Sequence, residues 1–155
     1  HRSQILFTSH WPADFPAAVE AEARSIACRL AGALDLVGLL TVEFFLTPDQ
    51  TLLVNELAPR PHNSGHLTIE ASSASQFDLH LRAIAGWPLP GPRMLQPAVM
   101  TNLLGDRWPG TGEPDWAYIL NQPEAHLHLY GKADARPGRK MGHATWVGEK
   151  ARPLD

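Results

Sequence analysis

One cysteine, Cys28, in 155 residues excludes an internal disulfide. It falls inside a predicted helix, where a buried, inert thiol is expected. No apolar run is long enough to span a bilayer, and no leader-like segment opens the chain, so no membrane partner is expected and the cytoplasm is the expected compartment. Positive charge is not in excess: 13 Lys and Arg against 16 Asp and Glu give a net charge of -3, which supplies no cationic field for nucleic acid. Repeats and low-complexity segments are absent too. What is present is ordinary for a globular protein, 44% hydrophobic and 19% charged, and enough for one medium domain or one and a half small ones.

The informative stretch runs from Val37 to His66. Leu39 to Leu46 alternates as a strand does, with Leu40, Val42, Phe44 and Leu46 on one side and Leu39, Thr41, Glu43 and Phe45 on the other. Thr51 to Leu57 alternates as well, and Thr47-Pro48-Asp49-Gln50 has turn chemistry. A four-residue turn pairs Leu46 with Thr51 and sets Glu43 opposite Val54, which makes Glu43 and Glu56 diagonal neighbours on one face. Two carboxylates on an otherwise apolar face are costly without a positive partner, and Mg²⁺ takes oxygen ligands while keeping positions for phosphates. The same residues also describe two solvated glutamates, because a single-residue change of register separates the pair. Next comes a stiff loop, Ala58 to Thr68. Pro59 and Pro61 flank Arg60 and aim Arg60 and His62, and Asn63-Ser64-Gly65 offers backbone amides to an anion. His62 and His66 have HxxxH spacing, but Pro61 and Gly65 oppose the helix that a zinc pair on that spacing needs.

Elsewhere the pattern is coarser. Gln4 to Thr8 reads as a strand with no turn before it, which suggests a fragment whose upstream partner is missing. Asp14 is placed as a helix cap with Pro16 in the first turn, and Val19, Ala23, Ile26, Ala27, Leu30 and Leu34 form a stripe expected to cover the hairpin. Ser73 or Ser75 caps a second helix, with Phe77, Leu81 and Ile84 expected on its buried face and Gly86 at its end. Trp87 to Pro92 is a stiff linker, so a boundary is placed between residues 1–90 and 91–155. Ala98 to Leu104, Ala125 to Tyr130 and Met141 to Val147 read as strands, and Asp115 to Leu120 as a short helix. His126 and His128 share a face and are expected to pack or hydrogen-bond. Lys132, Arg136, Arg139 and Lys140 surround the Pro137-Gly138 turn, either as solvated cations or as a phosphate grip.

Val54 to His66 (Val-Asn-Glu-Leu-Ala-Pro-Arg-Pro-His-Asn-Ser-Gly-His), Ser75-Gln76-Phe77 with His80 to Ile84, and Tyr130-Gly131-Lys132 with Arg136 to His143 occur in this order. Together they closely resemble the 5-(carboxyamino)imidazole ribonucleotide synthases, ATP-grasp enzymes of purine synthesis, from Gln4 onward. The resemblance implies an α+β fold: the carboxyl-terminal half of an ATP-grasp fold, an antiparallel sheet with packed helices, in residues 1–90, followed by a small β-rich domain in 91–155. It implies that ATP activates bicarbonate as carboxyphosphate, which carboxylates the exocyclic amine of aminoimidazole ribonucleotide and leaves ADP and phosphate. Glu43 and Glu56 then match the Mg²⁺ ligands, with Asn55 and Glu56 at the ATP phosphates. Arg60 and His62 match the catalytic positions, and Asn63, Ser64 and Gly65 shape the substrate pocket. Lys132 and Arg139, with Lys140, match the grip on the substrate's 5′-phosphate.

The family's amino-terminal domain and ATP lid have no counterpart here, so the chain by itself is expected to be inactive, and the homodimer common in the family is expected of the full-length protein. A formate-dependent glycinamide ribonucleotide transformylase carries a similar Pro-Arg-Pro-His loop and is the nearest alternative, though Asn63 to His66 favours the carboxylating enzyme. A non-catalytic module derived from an ATP-grasp half is a second alternative, disfavoured because both glutamates and the loop are intact. A zinc protein using some of the 8 histidines is a third.

Overall fold

The structure is a computed structural model that describes residues 5–110 and 112–154. Its elements run β1 (Thr8–Trp11), α1 (Ala17–Ala33), β2 (Thr41–Leu46), β3 (Leu52–Ala58), α2 (Thr68–Ala71), α3 (Gln76–Ile84), β4 (Ala98–Leu104), α4 (Ala117–Leu120), β5 (Ala125–Leu129) and β6 (Lys140–Val147). Gln4, where the expected first strand began, lies outside the described residues, and the strand itself starts later, at Thr8. Two compact units interleave along the chain. One gathers the segment up to Pro12, Leu67–Ser73 and everything from Met94; the other holds Ala13–His66 and Ala74–Arg93.

The first unit is an antiparallel sheet of order β1-β4-β6-β5. Its parity explains its core. Val99, Thr101 and Leu103 pair with Trp146, Ala144 and Gly142 and share one face, where Leu103, Ala144 and Trp146 pack with Trp116 and Ile119 of the α4 region. Ala98 and Met100 lie on the other face with Val147, under Leu67 and Ala71 of the α2 region. Met100, Leu103 and Ile119 are fully buried, and burial stabilises each by about 1.5–3 kcal/mol relative to exposure. The second face is also polar: His128 and His143 pair across β5 and β6 with rings stacked at 4.4 Å, and His128 Nε2 meets Glu70 Oε1 at 2.6 Å. His128 thus hydrogen-bonds, as its alternation with His126 suggests.

The second unit is the β2–β3 hairpin with α1 and α3. Among its described residues the only buried hydrophobic side chains are Val19 and Ala58. Pro16, not Asp14, stands at the cap position of α1, and no side chain caps that end. Proline's fixed φ already suits the approach to a helix, which leaves Asp14 outside capping reach. Cys28 is exposed, not buried. Ser75 caps α3, its Oγ accepting the Asp78 N–H at 3.1 Å. The apolar stripe of α3 faces the other way from expectation: Leu81 is 62% and Ile84 55% exposed, while Gln76 is buried. Periodicity locates a stripe but does not say which side of the helix is covered.

The hairpin turn is longer than four residues. Leu46 pairs with Leu52, because Thr51 belongs to the turn: Thr47 Oγ1 accepts the Thr51 N–H at 3.0 Å, and Asp49 accepts both threonine hydroxyls, at 2.5 and 3.0 Å. The Thr47 hydroxyl first, then that of Thr51, hold the Asp49 carboxyl below its ordinary value. A depressed folded-state pKa stabilises above the unfolded value, about 3.9, and that stability is lost as pH falls through the folded value. Asp49→Asn is therefore expected to lower the stability of the chain at neutral pH. Its difference from wild type should shrink below about pH 4, as read from urea midpoints across pH; a difference independent of pH would contradict it.

Candidate functional site

One added residue in the turn would, in a regular ladder, set Glu43 opposite Asn55 and send Glu56 to the far face. A β-bulge prevents this. The register shifts between Glu43 and Phe44, so that Phe44 pairs with Val54 while Glu43 pairs with Glu56. Asn55 is the extra residue on the bulged strand. The two carboxylates are thus directly opposed, not diagonal as the simple hairpin implies. Opposed residues on one face have Cβ atoms about 4.5–5.5 Å apart.

Phe45 and Leu53 share that face and remain 59% and 49% exposed, so the face is open. Asn55 Nδ2 donates to Glu43 Oε2 at 3.3 Å. Glu43 Oε1 lies 3.4 Å from His62 Nε2. Ser64 N–H donates to His62 Nδ1 at 3.3 Å, and the Ser64 hydroxyl stands 2.8 Å from the same nitrogen. An Nδ1 that accepts leaves the proton on Nε2, facing the Glu43 carboxylate. Glu43, Asn55, Glu56 and His62 therefore form one cluster. Arg60 stands beside it, exposed, with Nη1 donating to the Pro61 carbonyl at 3.2 Å. Asn63, Ser64 and Gly65 form a single 3₁₀ turn behind His62.

No group of three or more His, Cys, Asp or Glu among the described residues could hold a metal by itself, which tells against a zinc cage. Mg²⁺ asks less, one or two carboxylates with substrate phosphates completing the shell. An opposed glutamate pair on an open face, with a neutral amide alongside, is a donor set of that kind.

Lys132, Arg139 and Lys140 belong to the sheet-bearing unit. Lys132 Nζ donates to the Lys140 carbonyl at 2.6 Å and lies 5.4 Å from the centre of the Tyr130 ring. Arg139 Nη1 donates to the Asp134 carbonyl at 2.8 Å, and Arg136 Nε pairs with the Asp134 carboxylate at 2.8 Å. The Asp106 carboxylate accepts the Gly138 N–H at 2.7 Å. Charge counting along the sequence found the cations of this loop but not Asp134 and Asp106, which fix its course. Gln76, quoted in the sequence with Ser75 and Phe77, was given no role there; its signal was a glutamine directly after a capping serine.

Residues 1–77 match the family model described as ATP-grasp domain, and residues 98–155 the one described as phosphoribosylaminoimidazole carboxylase C-terminal domain. The chain is 47% identical over 151 residues to the N5-carboxyaminoimidazole ribonucleotide synthase of Bacillus subtilis, covering 95% of this chain and 38% of that protein. It is 49% identical over 146 residues to the synthase of Staphylococcus haemolyticus, of which it covers 37%. Among solved structures it is similar to an N5-carboxyaminoimidazole ribonucleotide synthetase in complex with ADP, at TM-score 0.86 and 43% identity over 96% of this chain and 38% of that one. It is also similar to the Aspergillus clavatus synthase in complex with ADP and 5-aminoimidazole ribonucleotide, at TM-score 0.85 and 38% identity over 96% of this chain and 40% of that one. The chain thus spans well under half the length of the relatives it matches. No helix among its described residues is long and apolar enough to cross a membrane.

Proposed function

Because the chain belongs to the N5-carboxyaminoimidazole ribonucleotide synthase family of ATP-grasp proteins, we propose that it is the carboxyl-terminal part of an ATP- and bicarbonate-dependent synthase that carboxylates the amine of 5-aminoimidazole ribonucleotide. The observation that carries this reading is the bulge-enforced opposition of Glu43 and Glu56 on an open strand face beside His62. Glu43 and Glu56 would hold Mg²⁺ against the ATP phosphates. When bound, the ion neutralises charge that develops during phosphoryl transfer. Asn55 and Glu56 face the nucleotide end. Arg60 is free to swing toward an anion, and its planar fork suits bicarbonate or its phosphorylated form. His62, with its proton on Nε2, can donate toward an anionic oxygen once Glu43 is engaged elsewhere. Asn63, Ser64 and Gly65 shape the pocket wall.

Lys132, Arg139 and Lys140 would hold the 5′-phosphate, with Asp134 fixing the arginine geometry before substrate arrives. Residues 1–90 are assigned to the ATP-grasp part and 91–155 to the small carboxyl-terminal domain. A homodimer is proposed for the full-length protein, with small molecules as its ligands.

The test is to supply a full-length enzyme bearing this sequence with ATP, and with bicarbonate and aminoimidazole ribonucleotide or formate and glycinamide ribonucleotide. ADP release only with the first pair is expected, and release only with the second would overturn the reading. The 155-residue chain alone is expected to show no bicarbonate-dependent ATP turnover, since it spans so little of its relatives' length. Measurable turnover by the isolated chain would contradict that.

A further inference from the structure

Gln76 is the only buried polar side chain in its unit among the described residues, 6% exposed, and it has no place in the ligand set above. It opens α3 directly after the Ser75 cap, which fixes the point from which its side chain projects. Its amide grips the main chain of His62 from both sides. Oε1 accepts the His62 N–H at 2.9 Å, and Nε2 donates to the His62 carbonyl at 2.8 Å. Nε2 also lies 2.8 Å from His66 Nδ1. A primary amide has two N–H donors and one carbonyl, and here both ends of it close a single loop. The loop fits closely around it: a Cβ on Gly65 would come within 2.8 Å of Gln76 Oε1 and 3.0 Å of its Cδ, so a larger residue there would push the amide aside.

The backbone of residue 62 is thereby held as a strand partner would hold it, although the residue lies in a loop. With N–H and carbonyl both fixed, the Cα–Cβ vector is fixed. The Ser64 bonds to Nδ1 then set the ring so that Nε2 faces Glu43. We infer that Gln76 is a positioning residue for the transfer step, acting through His62 without touching substrate. This rests on the catalytic reading of His62 given above. Displacement of a reacting group by about 1 Å costs roughly 10²-fold in rate.

The experiment uses a full-length enzyme bearing this sequence for turnover and the 155-residue chain for ¹⁵N NMR of the His62 ring. Gln76→Met keeps length and removes the amide; Gln76→Glu keeps the acceptor for the His62 N–H and removes the donors. Gln76→Met is expected to lower kcat about 30- to 100-fold with KM for ATP changed less than about threefold, and Gln76→Glu less. In a His62→Asn background Gln76→Met should cost nothing further. The ring should change from a single Nε2–H tautomer to a mixture. Wild-type kcat and an unchanged tautomer in either folded variant would overturn the inference, as would a full additional loss in the His62→Asn background. If Gln76→Met does not fold, the tautomer of Gln76→Glu decides. If His62→Asn itself leaves turnover intact, the catalytic reading of His62 fails, while the ring spectrum still reports whether Gln76 holds it.

Discussion

Glu56→Gln in a full-length enzyme bearing this sequence is expected to reduce bicarbonate-dependent ATP cleavage by about 10³-fold, on the order of 4 kcal/mol of transition-state stabilisation. The substitution removes one negative charge and almost no volume. The side chain is exposed and has no hydrogen bond or ion pair among the described residues, so the fold loses nothing and Tm should hold within about 2 °C. Raising the Mg²⁺ concentration should recover part of the activity, because the loss is one of metal affinity as well as charge. Steady-state ADP release beside a thermal melt checks both halves of the expectation. Near-wild-type turnover would remove Glu56 from the metal site, and a collapsed melt would assign it a structural role instead.

The largest effect on stability is expected from Gly105→Ala. Gly105 follows β4, and a Cβ there would collide with the main-chain nitrogen, carbon and oxygen of Arg136. Backbone cannot rotate away as a side chain can, so the loop carrying Arg136 to Arg139 would have to move. Two bonds oppose that movement: the Gly105 N–H donates to the Arg139 carbonyl at 2.8 Å, and Asp106 holds the Gly138 N–H. A cost of about 3–4 kcal/mol follows, which for a chain of this size lowers Tm by roughly 6–16 °C. Where the variant still folds, a displaced Arg139 should raise KM for the ribonucleotide more than it lowers kcat. A melt within about 2 °C of wild type would show that the loop yields easily.

Much of the site was legible in the sequence because strand alternation is a strict parity. Glu43 and Glu56 were placed on one face by an incorrect register that happened to preserve that parity. Two compensating one-residue features hid behind it: a turn extended by Thr51, and a bulge at Asn55. Neither has a pattern of its own, since each depends on which hydrogen bonds Thr47, Asp49 and Thr51 complete in three dimensions. The strands of the larger sheet were legible for a different reason. Ala98–Leu104 and Lys140–Val147 are buried along nearly their whole length, and Val99, Met100 and Leu103 in the first and Met141, Trp146 and Val147 in the second mark them as strands. The direction of α3 was not legible, because Phe77, Leu81 and Ile84 form a clear stripe that the described residues leave largely exposed. Gln76 was part of the Ser75-Gln76-Phe77 motif but was given no role, for the converse reason: a polar residue buried by its own hydrogen bonds looks like a surface residue in a sequence. Asp134 and Asp106 were overlooked because a run of cations draws the reading toward an external anion, whereas the chain supplies its own.

Glu43 and Glu56 are proposed to share one divalent cation with the nucleotide. A crystal structure of a full-length enzyme bearing this sequence, grown with Mg²⁺ and a non-hydrolysable ATP analogue, addresses this directly. A cation about 2.0–2.1 Å from an oxygen of each glutamate and from phosphate oxygens is expected. A cation bound to the phosphates with either glutamate more than about 4 Å away would contradict it.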